Sequence, residues 1–147
     1  MEIIRTVSTR TPIDKVYAYL SDFTTTNEWD PGTVSTERLS GTGGVGTEYH
    51  NTSKFLGRET ELVYTVKEVV PDERLVLEGT NKSVRATDTM TFTETADGGT
   101  RVTYRATFEF QGMVGKLALV LSPLLARALK KLGDEAVVGM QDALDKL

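Results

Sequence analysis

The chain has no cysteine. Disulfides, thiol nucleophiles and cysteine-ligated metal sites are excluded, while the redox compartment is left open. It has a single histidine, His50, in 147 residues. A His-rich zinc site cannot be built from one imidazole, and the acidic residues show no ligand spacing, so no metal is expected. Positive charge is in deficit: the formal net charge is -4 at pH 7. A nucleic-acid partner therefore gains no electrostatic support. Long hydrophobic runs are also missing. The longest, Leu117–Leu121 continuing past Ser122-Pro123, falls far short of a membrane span, so no stable membrane insertion is expected. The opening Met-Glu-Ile-Ile-Arg lacks the basic segment and apolar core of a signal peptide, which makes a cytoplasmic location the default expectation.

What is present is the composition of one globular domain spanning residues 1–147, with 39% hydrophobic and 26% charged residues. The chain is organised around its C-terminal run. Leu117, Leu121, Leu125, Leu129, Leu132, Ala136, Met140, Ala143 and Leu147 recur in steps of three and four, the period of one helical face. From Leu124 onward this predicts a helix of about 24 residues, roughly 36 Å long. Pro123 removes a backbone hydrogen bond and should kink it.

Most of the chain before that helix reads as strand. Glu2–Ser8 opens it. Thr11-Pro12-Ile13-Asp14 is a helix start, with Thr11 placed to cap, and Ile13, Val16, Tyr17 and Leu20 form the buried face. A second short turn follows before Trp29-Asp30-Pro31-Gly32, where proline and glycine force irregular backbone. Strands are then expected over 34–39, 47–55, 58–70, 74–80, 84–95 and 100–110. The glycine-rich stretch Ser40–Gly46 lacks the Lys-Ser/Thr ending of a phosphate loop and reads as a hairpin turn. Parity puts Tyr49, Asn51 and Ser53 on one face, with Leu62, Tyr64, Val66, Leu75 and Leu77. Ala86, Asp88, Met90, Phe92, Val102, Tyr104, Ala106, Phe108 and Phe110 continue it. Threonines and charges fill the other face, so the class is α+β: a curved antiparallel sheet, wet on one side, with a long helix across the other.

Several inward positions are small or polar: Asn51, Ser53, Gly79, Ala86, Asp88 and Ala106. Buried polar groups need partners, water or a ligand. The predicted ligand-binding set is therefore Trp29, Tyr49, Asn51, Tyr64, Leu77, Asp88, Met90, Tyr104, Phe108, Leu121 and Leu125. Tyrosines contribute a ring to the wall and a hydroxyl to a ligand, and Trp29 either gates the pocket or plugs one end of the core. Asp88 is the catalytic candidate: a buried carboxyl titrates high and can move a proton, unless Arg85 pairs with it. His50 shares its face with Glu48 and Thr52 and reads as outward. The apolar turn with Leu119 and Val120 is open to two readings, a lid over a pocket mouth or a patch that packs under a loop or forms a homodimer.

Three motifs in this order resemble the START/Bet v 1-like superfamily: Val45-Gly46-Thr47 opening a strand, Val69-Val70-Pro71-Asp72-Glu73-Arg74-Leu75 between strands, and Asp97-Gly98-Gly99-Thr100-Arg101-Val102-Thr103-Tyr104 entering the last. The superfamily is also called SRPBCC, and the chain looks most similar to its bacterial polyketide cyclase/dehydrase-type members. The resemblance covers the whole chain. It implies a helix-grip fold, with a seven-stranded antiparallel sheet around a long C-terminal helix, two short helices after the first strand, and an apolar cavity between. Members bind lipids, sterols, polyketides, quinones or aromatic compounds, and some are cyclases. No catalytic motif is common to them all, so none is carried over. The expectation is a binder of a small hydrophobic ligand, needing no cofactor. The alternatives are a cyclase/dehydratase-type enzyme and a protein-interaction module.

Overall fold

A computed structural model describes residues 1–147. Strand β1 (Glu2–Thr9) leads to helix α1 (Ile13–Ser21), a 3-10 turn (Phe23–Thr25) and a four-residue helix α2 (Thr26–Trp29). Six strands follow: β2 (Thr33–Ser40), β3 (Glu48–Phe55), β4 (Arg58–Val70), β5 (Arg74–Thr80), β6 (Val84–Glu94) and β7 (Thr100–Phe110). Helices α3 (Gly112–Val120) and α4 (Ser122–Asp145) complete the chain. The seven strands form one sheet in the order β1-β7-β6-β5-β4-β3-β2, every pair antiparallel. Strands β1 and β2 are neighbours in sequence but occupy opposite edges. At about 4.8 Å per strand the chain must travel roughly 29 Å between them. The run from α1 to α2 makes that crossing and closes one end of the sheet. Register shifts between Thr33 and Ser35, Arg38 and Ser40, and Val66 and Glu68 are the irregularities that bend a pleated sheet.

Helix α4 lies against the hollow side. Leu125, Leu129, Gly133, Ala136, Met140 and Leu144 are its buried residues. At Gly139 the helix has no side chain because the carbonyl oxygen of Trp29 occupies the position a Cβ would take. Gly133 makes the same close approach to Ile3 on β1. The C-terminal end is tied down by hydrogen bonds: Thr11 Oγ1 donates to the Leu144 carbonyl at 2.7 Å, and Thr9 Oγ1 to Asp145 at 2.7 Å. Arg5 reaches across from β1 to Asp134 at 2.8 Å.

Three expectations need correction. Leu117 and Leu121 do not continue the buried stripe of α4. The chain breaks at Leu121, α3 turns away by 96°, and both residues are exposed. At the other end Leu144, not Leu147, is the buried residue, because the helix ends at Asp145. Thr11 does not cap α1: Pro12 occupies the cap position with no side-chain bond, and the Thr11 hydroxyl is committed to α4 instead.

Candidate functional site

The inner face of the sheet is set by strand register. Across one row Leu77 lies opposite Asp88 and Asp88 opposite Ala106. In the adjacent rows Met90 faces Tyr104, and Gly79 faces Ala86, which faces Phe108. Asp88 therefore stands in the middle of the wall, between an aliphatic side chain and a methyl group. It is only 4% exposed. Its Oδ2 accepts a hydrogen bond from the Tyr104 hydroxyl at 2.9 Å. Arg85 does not pair with it. Arg85 points to the outer face and meets Glu109 at 3.7 Å.

Burial pushes the Asp88 carboxyl up to about 7. The Tyr104 hydrogen bond pulls in the opposite direction, and the nearby charge of Asp30 raises it further. Tyr104 and Tyr64 are both held well above the ordinary phenol range, first by burial and then by the charge of Asp88. Around neutrality the cluster is thus two phenols that keep their protons and one carboxyl poised to change its own.

The aromatic residues enclose this group. The Tyr64 ring lies over Gly79, within 2.7 Å of where a Cβ would be. Any larger residue at position 79 would displace it. Trp29 meets Tyr104 edge-on with centroids 6.1 Å apart, and its indole nitrogen donates to Thr25 at 3.3 Å. The structure thus gathers Trp29, Tyr64, Leu77, Asp88, Met90 and Tyr104 in the core, with Phe108 half-buried at its side; Leu125 is buried on α4 but lies outside that core. Tyr49 is buried against Phe23 with centroids 5.6 Å apart. Asn51 belongs to a different network near the β2 edge. Its amide nitrogen donates to Thr36 at 2.8 Å, its oxygen accepts from Ser53 at 2.8 Å, and Thr36 meets Thr26 at 2.6 Å. Leu121 stands apart from the group, 38% exposed at the junction of α3 and α4. His50 lies outward as expected, 3.5 Å from Glu61.

Sequence reasoning missed one member. Asp30 is half-buried behind Trp29; it accepts from the Gly32 amide at 2.9 Å and the Thr33 hydroxyl at 3.0 Å. Burial raises its carboxyl, those two hydrogen bonds oppose the shift, and Glu135 adds to it. The signal was available: aspartate followed by Pro-Gly-Thr is a turn in which the side chain bonds the backbone two residues on. Two open clefts lie outside the grip. One runs along α4 with Arg127, Lys131 and Glu135, and the other between Thr9, Arg101 and Gln141. Neither is lined by Asp88.

A seven-stranded antiparallel sheet gripping a long C-terminal helix is a helix-grip fold, and here its concave wall carries the buried Asp88–Tyr104 pair. Residues 2–147 match the family described as polyketide cyclase/dehydrase and lipid transport, and the chain belongs to that family. No curated protein matches the sequence. Among solved structures, TTHA0849 from Thermus thermophilus is similar with a TM-score of 0.81 at 17% identity, over 98% of this chain and 97% of that one. The Zhui aromatase/cyclase from Streptomyces sp. R1128 has a TM-score of 0.80 at 12% identity, over 99% and 94%. A START superfamily protein from Mycobacterium smegmatis has a TM-score of 0.65 at 14% identity, over 91% and 97%. At these identities the likeness is one of fold.

Proposed function

We propose that the chain binds a small, mostly apolar molecule between the inner face of the sheet and α4, with Asp88 and Tyr104 holding the molecule's polar end. The observation that carries this reading is the Asp88–Tyr104 pair. A carboxyl buried without a cation is costly to keep, and such groups concentrate at functional sites. When protonated, Asp88 can donate to a carbonyl; when ionised, it can accept from a hydroxyl. The apolar wall of Trp29, Tyr49, Tyr64, Leu77 and Met90, with Met140 of α4 in the same core, supplies affinity at roughly 25 cal/mol per Å² buried. Short side chains at Gly79, Ala86 and Ala106 give the polar end somewhere to sit once the rings above them shift. Phe108 is half-buried at the side where α3 begins, so entry there displaces the least anchored part of the wall. Leu121, at the α3–α4 junction, and Asn51, whose amide is already bonded to Thr36 and Ser53, lie outside this wall.

A second reading follows from the titration of Asp88. A carboxyl near 7 is matched to proton transfer at neutral pH, and a folded polyketide chain held against it could be enolised or dehydrated. The aromatase/cyclase among the structural relatives is in keeping with that chemistry. Native mass spectrometry of protein purified from its own host, followed by titration with apolar aromatic and acyl probes read by Trp29 fluorescence, tests both. Binding predicts a retained small molecule or a saturable change, weakened about tenfold in Asp88→Asn, the worth of one hydrogen bond to a charged group. Catalysis predicts turnover that Asp88→Asn abolishes while binding persists. A protein that purifies empty and responds to no probe would overturn the proposal.

A further inference from the structure

The chain from Gln111 to Gly133 carries four basic residues, Lys116, Arg127, Lys130 and Lys131, and no acidic one, in a molecule whose net charge is -4. The same segment holds the barest apolar surface. Met113 is 82% exposed, Leu119 80%, Val120 76% and Leu117 56%. In α3 only Ala118 is buried. A helix apolar on all sides is ordinarily covered on all sides; this one is not. Leu124, Arg127 and Lys131 follow at steps of three and four, so they line one side of α4 next to the α3 patch. Lys130 and Lys131 are bonded to Asp134 and Glu135 at 2.9 and 3.8 Å, whereas Lys116 and Arg127 have no acidic partner.

We propose that α3 and the first turns of α4 form a docking surface for an anionic lipid bilayer, lying in its interface with the leucines inward and the basic side chains at the headgroups. Bare apolar residues with unpaired lysine and arginine beside them are the composition of interfacial helices; the acidic residues begin only further along α4, where Asp134, Glu135 and Asp142 line a cleft with Arg127 and Lys131. Nine residues of α3 span roughly 14 Å, too short to cross a bilayer, and a 96° bend separates α3 from α4. Charge also decides between a membrane and a second copy of the chain. A twofold contact places the patch on itself. Lys116 and Arg127 would then be covered by the same Gln111–Gly133 surface of the other copy, which supplies no acidic residue to neutralise them. Anionic headgroups neutralise them directly. The surface is independent of what occupies the interior.

Flotation of the full chain with phosphatidylcholine vesicles containing about a third phosphatidylglycerol, against vesicles of phosphatidylcholine alone, tests this. The expected result is binding to the anionic vesicles that falls in high salt, since exposed charges are screened. Lys116→Glu with Arg127→Glu should weaken binding at least about tenfold. Leu119→Ser with Val120→Ser should abolish it while leaving the melting temperature unchanged, because both side chains stand in solvent. The proposal is overturned if the wild-type chain does not float, or if either double variant floats as well as wild type. It is equally overturned if sedimentation finds a dimer that Leu119→Ser with Val120→Ser dissociates.

Discussion

Between Gly133 and Leu144 the last helix is packed against β1, α2 and the sheet; between Met113 and Leu124 the helical chain before it is nearly bare. The two stretches are built from similar residues, leucine, alanine, valine, methionine and glycine. The second is in fact the more continuously apolar. What separates them is shape. At the packed end glycine occurs where a backbone or a β1 side chain comes close, and Ala136, Met140 and Leu144 fall at helical intervals on one side. At the bare end the apolar residues surround the helix, so no single face of the body can cover them. Apolar density therefore marks a surface that needs a partner, and spacing together with small residues marks one that already has it.

Truncations at the two ends should break that symmetry most sharply. Leu144→Ala empties a fully buried site and is expected to cost about 4 kcal/mol of stability, measured by urea unfolding. A cost below about 1 kcal/mol would mean that the C-terminal end is not packed as described.

The next effect concerns the wall that α4 faces. Asp88 titrates at about 7 in the folded chain against an ordinary 3.8 for an aspartate carboxyl. Its folded form therefore holds the proton more tightly than the unfolded form. The linked stability is complete below the unfolded value and is lost as pH rises through the folded one, with most of the change between about pH 4 and 7. The loss is at most about 4 kcal/mol, from about 1.36 kcal/mol per unit. Asp88→Asn should remove this dependence and be more stable than wild type above about pH 7. Melting curves at about pH 5 and pH 8 check it: the wild type should melt lower at the higher pH, and parallel curves for the two proteins would contradict the buried carboxyl.

Smaller still is Gly139→Ala. Its added methyl collides with the Trp29 carbonyl and should cost about 1–3 kcal/mol, despite alanine being the better helix former. Smallest is Leu119→Ala, expected within about 0.5 kcal/mol of wild type. A large loss there would show that the bare end is covered in solution.

Parity read along the strands placed Tyr49, Tyr64, Leu77, Asp88, Met90 and Tyr104 on the inner face, and the register agrees, because alternation is a local property of extended backbone. It could not place Asn51 in a network of its own, since Thr26 and Thr36 reach it from elements distant in sequence. Nor could it bring Asp30 near Asp88. Helical periodicity carried Leu117 and Leu121 onto the buried stripe because a spacing pattern runs through a bend unmarked. Pro123 signalled the disruption, but not that α3 would leave the sheet.

By itself the sequence determined the class of fold, the order of elements, which face of each strand is apolar, and a carboxylate placed among apolar neighbours. These follow from residue type and short-range spacing. Only the tertiary structure decided that Tyr104 bonds Asp88, that the Trp29 carbonyl rests on Gly139, and that α3 lies uncovered. Each of these depends on where segments distant in sequence meet, and that is settled by the packing of the whole chain rather than by any stretch of it.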